Sequence, residues 1–213
     1  MKYLIVQNSV KMAFQFKIQL AGMTDPKIWR EFVVNENITF HDFHYIIQIC
    51  MGWENYHMYQ FSPTGYGSYP CMELKTSDSD AEFSPISNLK KGYELTYDSS
   101  KAKLSDYFSA KGQKITYIYD FGDDWKHVIS LKKIWPDATD HPMVVAGGGK
   151  CPPEDCGGVW GYENLIKTVS DPKDPEYEDM REWLGMKEGD VWDAEEFDMV
   201  EVNKGLGRLK NNE

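Results

Sequence analysis

Hydrophobic and polar positions alternate over residues 13–20, AFQFKIQL, where Phe14, Phe16, Ile18 and Leu20 share one side of the chain. A period of two puts such side chains on one face of a β-strand. The turn-prone Thr24-Asp25-Pro26 follows, and then the strand-like run IWREFVV with Ile28, Trp29, Phe32, Val33 and Val34. The two runs predict a hairpin with a loose connection. Thr39 is placed as the N-cap of a helix running to about Met51, whose stripe of Phe40, Phe43, Ile47, Cys50 and Met51 follows helical spacing. Gly52 stops the helix, and residues 57–61 resume an extended pattern.

Residues 62–92 are rich in Ser, Gly, Pro and Asp and read as irregular loop with room for an edge strand. Residues 104–108 predict one helical turn, capped by Ser105. A second hairpin is clearer: KITYIYD, the tight turn FGDD, then WKHVISLKKI. Ile115, Tyr117 and Tyr119 on one strand and Trp125, His127, Ile129 and Leu131 on the other define a shared face. After Pro136 the pattern changes. Residues 136–158 hold four prolines and five glycines without helical period, and read as a long Pro/Gly loop. Beyond them, 162–169, 175–184 and about 193–209 carry helical spacing, with Pro175 at a first turn and Gly185 at an end. The predicted class is α+β: a largely antiparallel sheet, a helix from the N-terminal half packed on it, and a helical C-terminal region over 159–209. At 213 residues, about 1.4 average domain lengths, residues 1–213 are read as a single domain.

Composition sharpens this picture in three places. Aromatics reach 14%, with 7 Trp and 13 Tyr, which argues for a folded chain. No apolar run approaches the roughly 18 residues that a membrane helix needs. The opening MKYLIVQNSVKM carries no small-residue cleavage site and is read as no signal peptide. The expected location is therefore cytoplasmic, with Cys50, Cys71, Cys151 and Cys156 as reduced thiols. Acidic residues outnumber basic ones 34 to 23, a net charge of −11, which disfavours nucleic acid and membrane surfaces as partners. A protein or a small molecule is the expected partner.

Candidate chemistry concentrates in three stretches. In the DFGDDW turn, Gly122 is expected to supply the positive φ, with Asp120, Asp123 and Asp124 capping backbone amides. The alternative gives Asp123 and Asp124 a role as cation ligands or acid–base groups. In the loop KCPPEDCGGVWGY, glycines before a helix start are able to cradle an anion, although Glu154 and Asp155 oppose one. Around the end of the first helix, Trp53, Tyr56, Tyr59, Tyr66 and Tyr69 supply aromatics for a core or a groove. Imidazole, thiolate and carboxylate suit zinc or another divalent metal, so His44, His57, Asp124, His127, Cys151 and Cys156 are candidate ligands. The spacings form no compact metal motif.

Four phrases occur together in order: FHDFHYIIQICMGWENYHMYQF, YIYDFGDDWKHVISL, CPPEDCGGVWGYENLIK and EEFDMVEVNKGL. Over residues 12–209 the chain resembles the plasmid-borne Orf-three-like family first described from a root-inducing (Ri) plasmid. The DFGD-x-W-x-H and CPPEDCGG-x-x-GY blocks are specific in combination. The resemblance implies no established activity. It departs from the family where His-Leu-His is often found, since this chain has His57-Met58-Tyr59. It departs again at Lys132, where the family often has Glu. Some relatives have been labelled transposon resolvases, but Arg30, Arg181 and Arg208 are the whole arginine set of this chain and cannot support that chemistry.

The expected function is a ligand- or protein-binding module without established catalytic activity. Its surface candidates are Trp53, His57, Tyr59, Asp120, Asp123, Asp124, Trp125, His127, Glu154, Asp155, Trp160 and Tyr162. The alternatives are a metal-dependent hydrolase built on His57, His127, Asp124 and Cys151 or Cys156, and an accessory factor of mobile genetic elements.

Overall fold

The computed structural model describes residues 12–75, 96–137 and 141–209. The opening stretch read for a signal peptide, and most of the loop expected over 62–92, lie outside the described residues. Within them the chain runs β1 (Ala13–Leu20), β2 (Trp29–Asn35), α1 (Phe40–Met51), β3 (Tyr59–Ser62), β4 (Cys71–Glu73) and β5 (Thr96–Asp98). It continues through α2 (Leu104–Tyr107), β6 (Lys114–Tyr119), β7 (Trp125–Trp135), β8 (Met143–Gly148), α3 (Gly158–Ser170), α4 (Tyr177–Trp183) and α5 (Met199–Arg208). The architecture is mixed α and β, with the strands forming one sheet in the order β5-β4-β3-β6-β7-β1-β2-β8. Every pairing is antiparallel except the short parallel pair β4–β5.

The period-two pattern explains the central strands. Phe16, Ile18 and Leu20 of β1 are fully buried, as is Phe32 of β2 opposite Phe16. In the β6–β7 hairpin Ile115 faces Ile129, Tyr117 faces His127 and Tyr119 faces Trp125, so the predicted shared face forms in register. Helix α1 covers that face. Phe43 packs 5.1 Å from Phe16, and Phe40 lies 5.1 Å from Phe61, centroid to centroid, in an aromatic layer of the kind that dominates core energetics. The Thr39 side chain accepts from the Asp42 amide while Asp42 accepts from that of Thr39, a reciprocal capping box, and Gly52 closes the helix in the left-handed conformation.

Three expectations differ from the structure. The Pro/Gly stretch 136–158 contains strand β8, because Phe32 and Val33 of β2 pair with Val144 and Met143 and extend the sheet. Its glycine-rich end is used for close approach: a side chain at Gly147 would collide with the Phe197 ring. In α2, Ser105 is not the cap. Lys103 holds the N-cap position, with Asp106 accepting from its amide at 2.8 Å, while the Ser105 N–H bonds to the Glu36 carbonyl. The C-terminal helices are α3, α4 and α5, and residues 193–198 precede the last of them rather than belonging to it.

Candidate functional site

Three loops meet at one end of the central strands: residues 52–58 after α1, the β6–β7 turn at 120–124, and residues 149–157 before α3. Trp53 is the pin. Its indole N–H donates to the Pro152 carbonyl at 3.0 Å, and its ring stacks on Tyr119 with centroids 4.9 Å apart. Trp125, completely buried, lies 5.9 Å away. Tyr119 then joins the loops through its hydroxyl, which donates to Glu154 Oε1 at 2.6 Å and accepts from the Tyr56 amide at 3.0 Å. Glu154 Oε1 also accepts from the Glu54 amide. Burial, and then the Glu154 carboxylate, push the Tyr119 phenol well above its ordinary range, so it acts as a fixed donor.

The turn itself uses left-handed backbone at Asp120 (φ 55) and Asp124 (φ 53), not at Gly122. Aspartate tolerates that region because its short side chain bonds locally. Here Asp120 Oδ1 accepts from the Gly122 amide at 2.8 Å, which leaves no demand on Gly122 for positive φ. Asp123 caps α3: its Oδ2 accepts from the Gly157 amide at 3.1 Å. A carboxylate of the chain itself thus takes the amide that the glycine-rich loop could offer to an anion. Gly158 is the position where only glycine serves, since its φ is +70 and a side chain would collide with the Asp123 carbonyl.

Of the candidate metal ligands and surface residues, one set converges. His57 Nε2 lies 3.7 Å from Asp120 Oδ2 and 3.3 Å from Asp155 Oδ1. The three donor atoms are all within 4.8 Å of one another, and among the described residues they form the one group of three or more His, Cys, Asp or Glu donors so placed. His44 and His127 lie elsewhere, inside the sheet–helix core. His44 stacks on Tyr59 at 3.6 Å and bonds Tyr117 Oη and Asn55 Oδ1 through its two nitrogens. His127 donates from Nδ1 to the Trp125 carbonyl at 2.9 Å. Burial lowers His44 to about 4 and His127 to about 3, so both rings are neutral near pH 7. Tyr59 bonds His41 and Ser99, and Tyr162, also buried, donates to the Lys150 carbonyl.

Cys151 and Cys156 are half-buried thiols. Burial pushes Cys156 up to about 12, with Asp123 adding to the shift, and raises Cys151 further. Both remain protonated at neutral pH, the opposite of what a nucleophilic cysteine needs.

The outer side of this end of the sheet is aromatic and acidic. Trp160, in the first turn of α3, is 86% exposed, and Tyr56 is 73% exposed. Tyr66 and Phe121 pack edge to face at 5.9 Å and are both exposed. An open cleft of about 430 Å³ runs between Ala21 and Gly22, the turn residues Asp123 and Asp124, Lys126 of β7, and Trp160. Two structural residues escaped the sequence reading. Tyr119 was read only as part of a buried face, although it directly precedes the acidic turn. Arg30 shares the period-two face of Ile28, Phe32 and Val34, a signal that its charge masks; it is 2% exposed and donates to three carbonyls, those of Trp29, Cys50 and Gly148.

Among the described residues, an eight-stranded, mostly antiparallel sheet carrying its junction of loops at one end defines a mixed α/β protein with a ring-lined, carboxylate-rich rim. The chain belongs to the plasmid pRiA4b ORF-3-like family, whose model matches residues 12–201. It is 30% identical over 187 residues to the uncharacterized protein y4hQ of Sinorhizobium fredii, covering 87% of this chain and 86% of that protein. The fold is also similar to the crystal structure of MM3350, a protein of unknown function from Methanosarcina mazei Go1. The TM-score is 0.71 at 36% identity, over 90% of this chain and 97% of that one. Among the described residues no helix is long and apolar enough to cross a membrane.

Proposed function

We propose that the protein is a binding module that receives a basic segment of a partner protein in the cleft beside Trp160. The observation that carries this reading is the exposure of Trp160 at the mouth of a cleft that also holds Asp123 and Asp124. An indole face is the best aromatic platform for a lysine or arginine side chain. Carboxylates beside it add attraction and steer the encounter. The net charge of −11 favours a cationic partner over nucleic acid. Lys126 lines the same cleft and lies 4.0 Å from Asp124, so it selects for a ligand able to displace that pair.

The hydrolase reading draws less support. His127, Cys151 and Cys156 join no group of three metal donors among the described residues, and the thiols are held protonated. The mobile-element reading rests on context alone, and retention of duplex DNA at moderate salt would favour it.

Titration of the full chain with a Lys/Arg-rich peptide, followed by tryptophan emission, tests the binding reading. A saturable change is expected at low salt, absent with a Glu-rich peptide and weakened about tenfold in Trp160→Ala. Equal binding by wild type and variant would exclude the cleft.

A further inference from the structure

The most developed chemistry outside the cleft is the meeting of His57, Asp120 and Asp155. Each comes from a different loop, so their convergence is a product of the fold. The two separations, 3.3 and 3.7 Å from His57 Nε2 to the carboxylate oxygens, are informative. Donors at about 2.1 Å from a shared ion stand roughly 3.0 to 3.7 Å apart for angles between about 90° and 120°. Both distances fall in or at the edge of that range. Neither is a hydrogen bond: Nε2 is cut off from solvent and has no hydrogen-bond partner, although two carboxylates face it. Asp120 is held in place by the Gly122 amide on Oδ1, which leaves Oδ2 turned toward the histidine. The neighbouring Tyr119 hydroxyl accepts from the His57 amide and anchors Glu154, fixing the loops that carry the donors.

We infer that His57 Nε2, Asp120 Oδ2 and Asp155 Oδ1 form a binding site for a divalent first-row metal ion of the zinc or manganese type. One imidazole with two carboxylates suits these ions, whereas calcium and magnesium take oxygen donors. Three protein ligands leave coordination positions for water or a ligand, and the Asp155 side chain, 70% exposed, opens the site to solvent. The metal neutralises two carboxylates that otherwise face a single imidazole. This inference stands apart from the partner-binding reading, since it concerns the isolated chain.

The test is calorimetric titration of chelator-treated full-length protein with Zn²⁺ and with Mn²⁺, with Ca²⁺ and Mg²⁺ as controls. About one ion per chain is expected for Zn²⁺ or Mn²⁺, together with a raised thermal unfolding temperature. Asp155→Asn and His57→Gln are expected to weaken binding at least tenfold, while Glu201→Gln on α5 leaves it unchanged. Asp155 is exposed, so its variant folds even if a change at Asp120 disturbs the turn. The inference is overturned if neither Zn²⁺ nor Mn²⁺ binds saturably, or if binding survives both substitutions. Loss of metal binding with intact peptide binding in Asp155→Asn, and the converse in Trp160→Ala, separates this site from the cleft.

Discussion

At the scale of single residues, the two buried histidines set how the protein answers acid. His44 and His127 titrate near 4 and near 3 in the folded chain because burial disfavours the imidazolium. In the unfolded chain they titrate at about 6.5. Between those values the unfolded state binds more protons, so stability rises with pH and is lost as pH falls below about 6.5. At about 1.4 kcal/mol per pKa unit, each ring lowers stability by roughly 3 kcal/mol at pH 4. Urea midpoints measured from pH 7 to pH 5 are expected to fall steadily, with a shallower slope in His127→Gln. A midpoint that stays flat over that range would show that these rings are not neutral in the core. The sequence placed His44 beside the apolar stripe and His127 in an alternating strand, which made burial legible. The His44 partners Asn55 and Tyr117 were not, because hydrogen-bond partners 11 and 73 residues away leave no local pattern.

Among the elements, β8 is the one whose existence depends most on its neighbours. It forms an edge of the sheet, where unpaired N–H and C=O groups invite aggregation. Helix α5 covers that edge, and Asn203 completes it. The Asn203 carboxamide accepts from the Val144 N–H at 2.8 Å and donates to the Val144 carbonyl at 3.0 Å, imitating one more strand residue. Asn203→Leu leaves both backbone groups without partners and should cost about 2 kcal/mol. Chemical denaturation checks the loss, and gel filtration at rising concentration checks for edge pairing. A variant as stable as wild type would mean that water replaces the amide. No propensity in MVVAGG announces β8 strongly. Its pairing to β2 does the work, and that is a tertiary fact.

For the molecule as a whole, Arg30 is the joint. From β2, next to the edge strand, its guanidinium reaches the C-terminal end of α1 through Cys50, the end of β8 through Gly148, and its own strand through Trp29. The ring of Phe197, in the segment leading to α5, lies 4.0 Å over it. A planar fork of donors serves several carbonyls at once, which a lysine ammonium cannot do in the same geometry. Arg30→Lys is therefore expected to lose about 3 kcal/mol in urea unfolding, because buried carbonyls go unpaired. Unchanged stability would show that the joint is dispensable.

The sequence by itself determined the periodic elements: the β1–β2 and β6–β7 hairpins, α1 with its Thr39 cap and Gly52 stop, and the helical spacing of the C-terminal third. Those signals are local, since a strand's face and a helix's ends are written within a few residues of one another. It also marked the three loops that carry the site, through their density of Asp, Gly, Pro and aromatic residues. Only the tertiary structure decided which donors meet. His57, Asp120 and Asp155 are brought together because Trp53 and Tyr119 lock three loops at one end of the sheet, while His44 and His127 are drawn into the core. Contacts between residues about 35 to 100 positions apart depend on strand order and register, and no spacing along the chain encodes them.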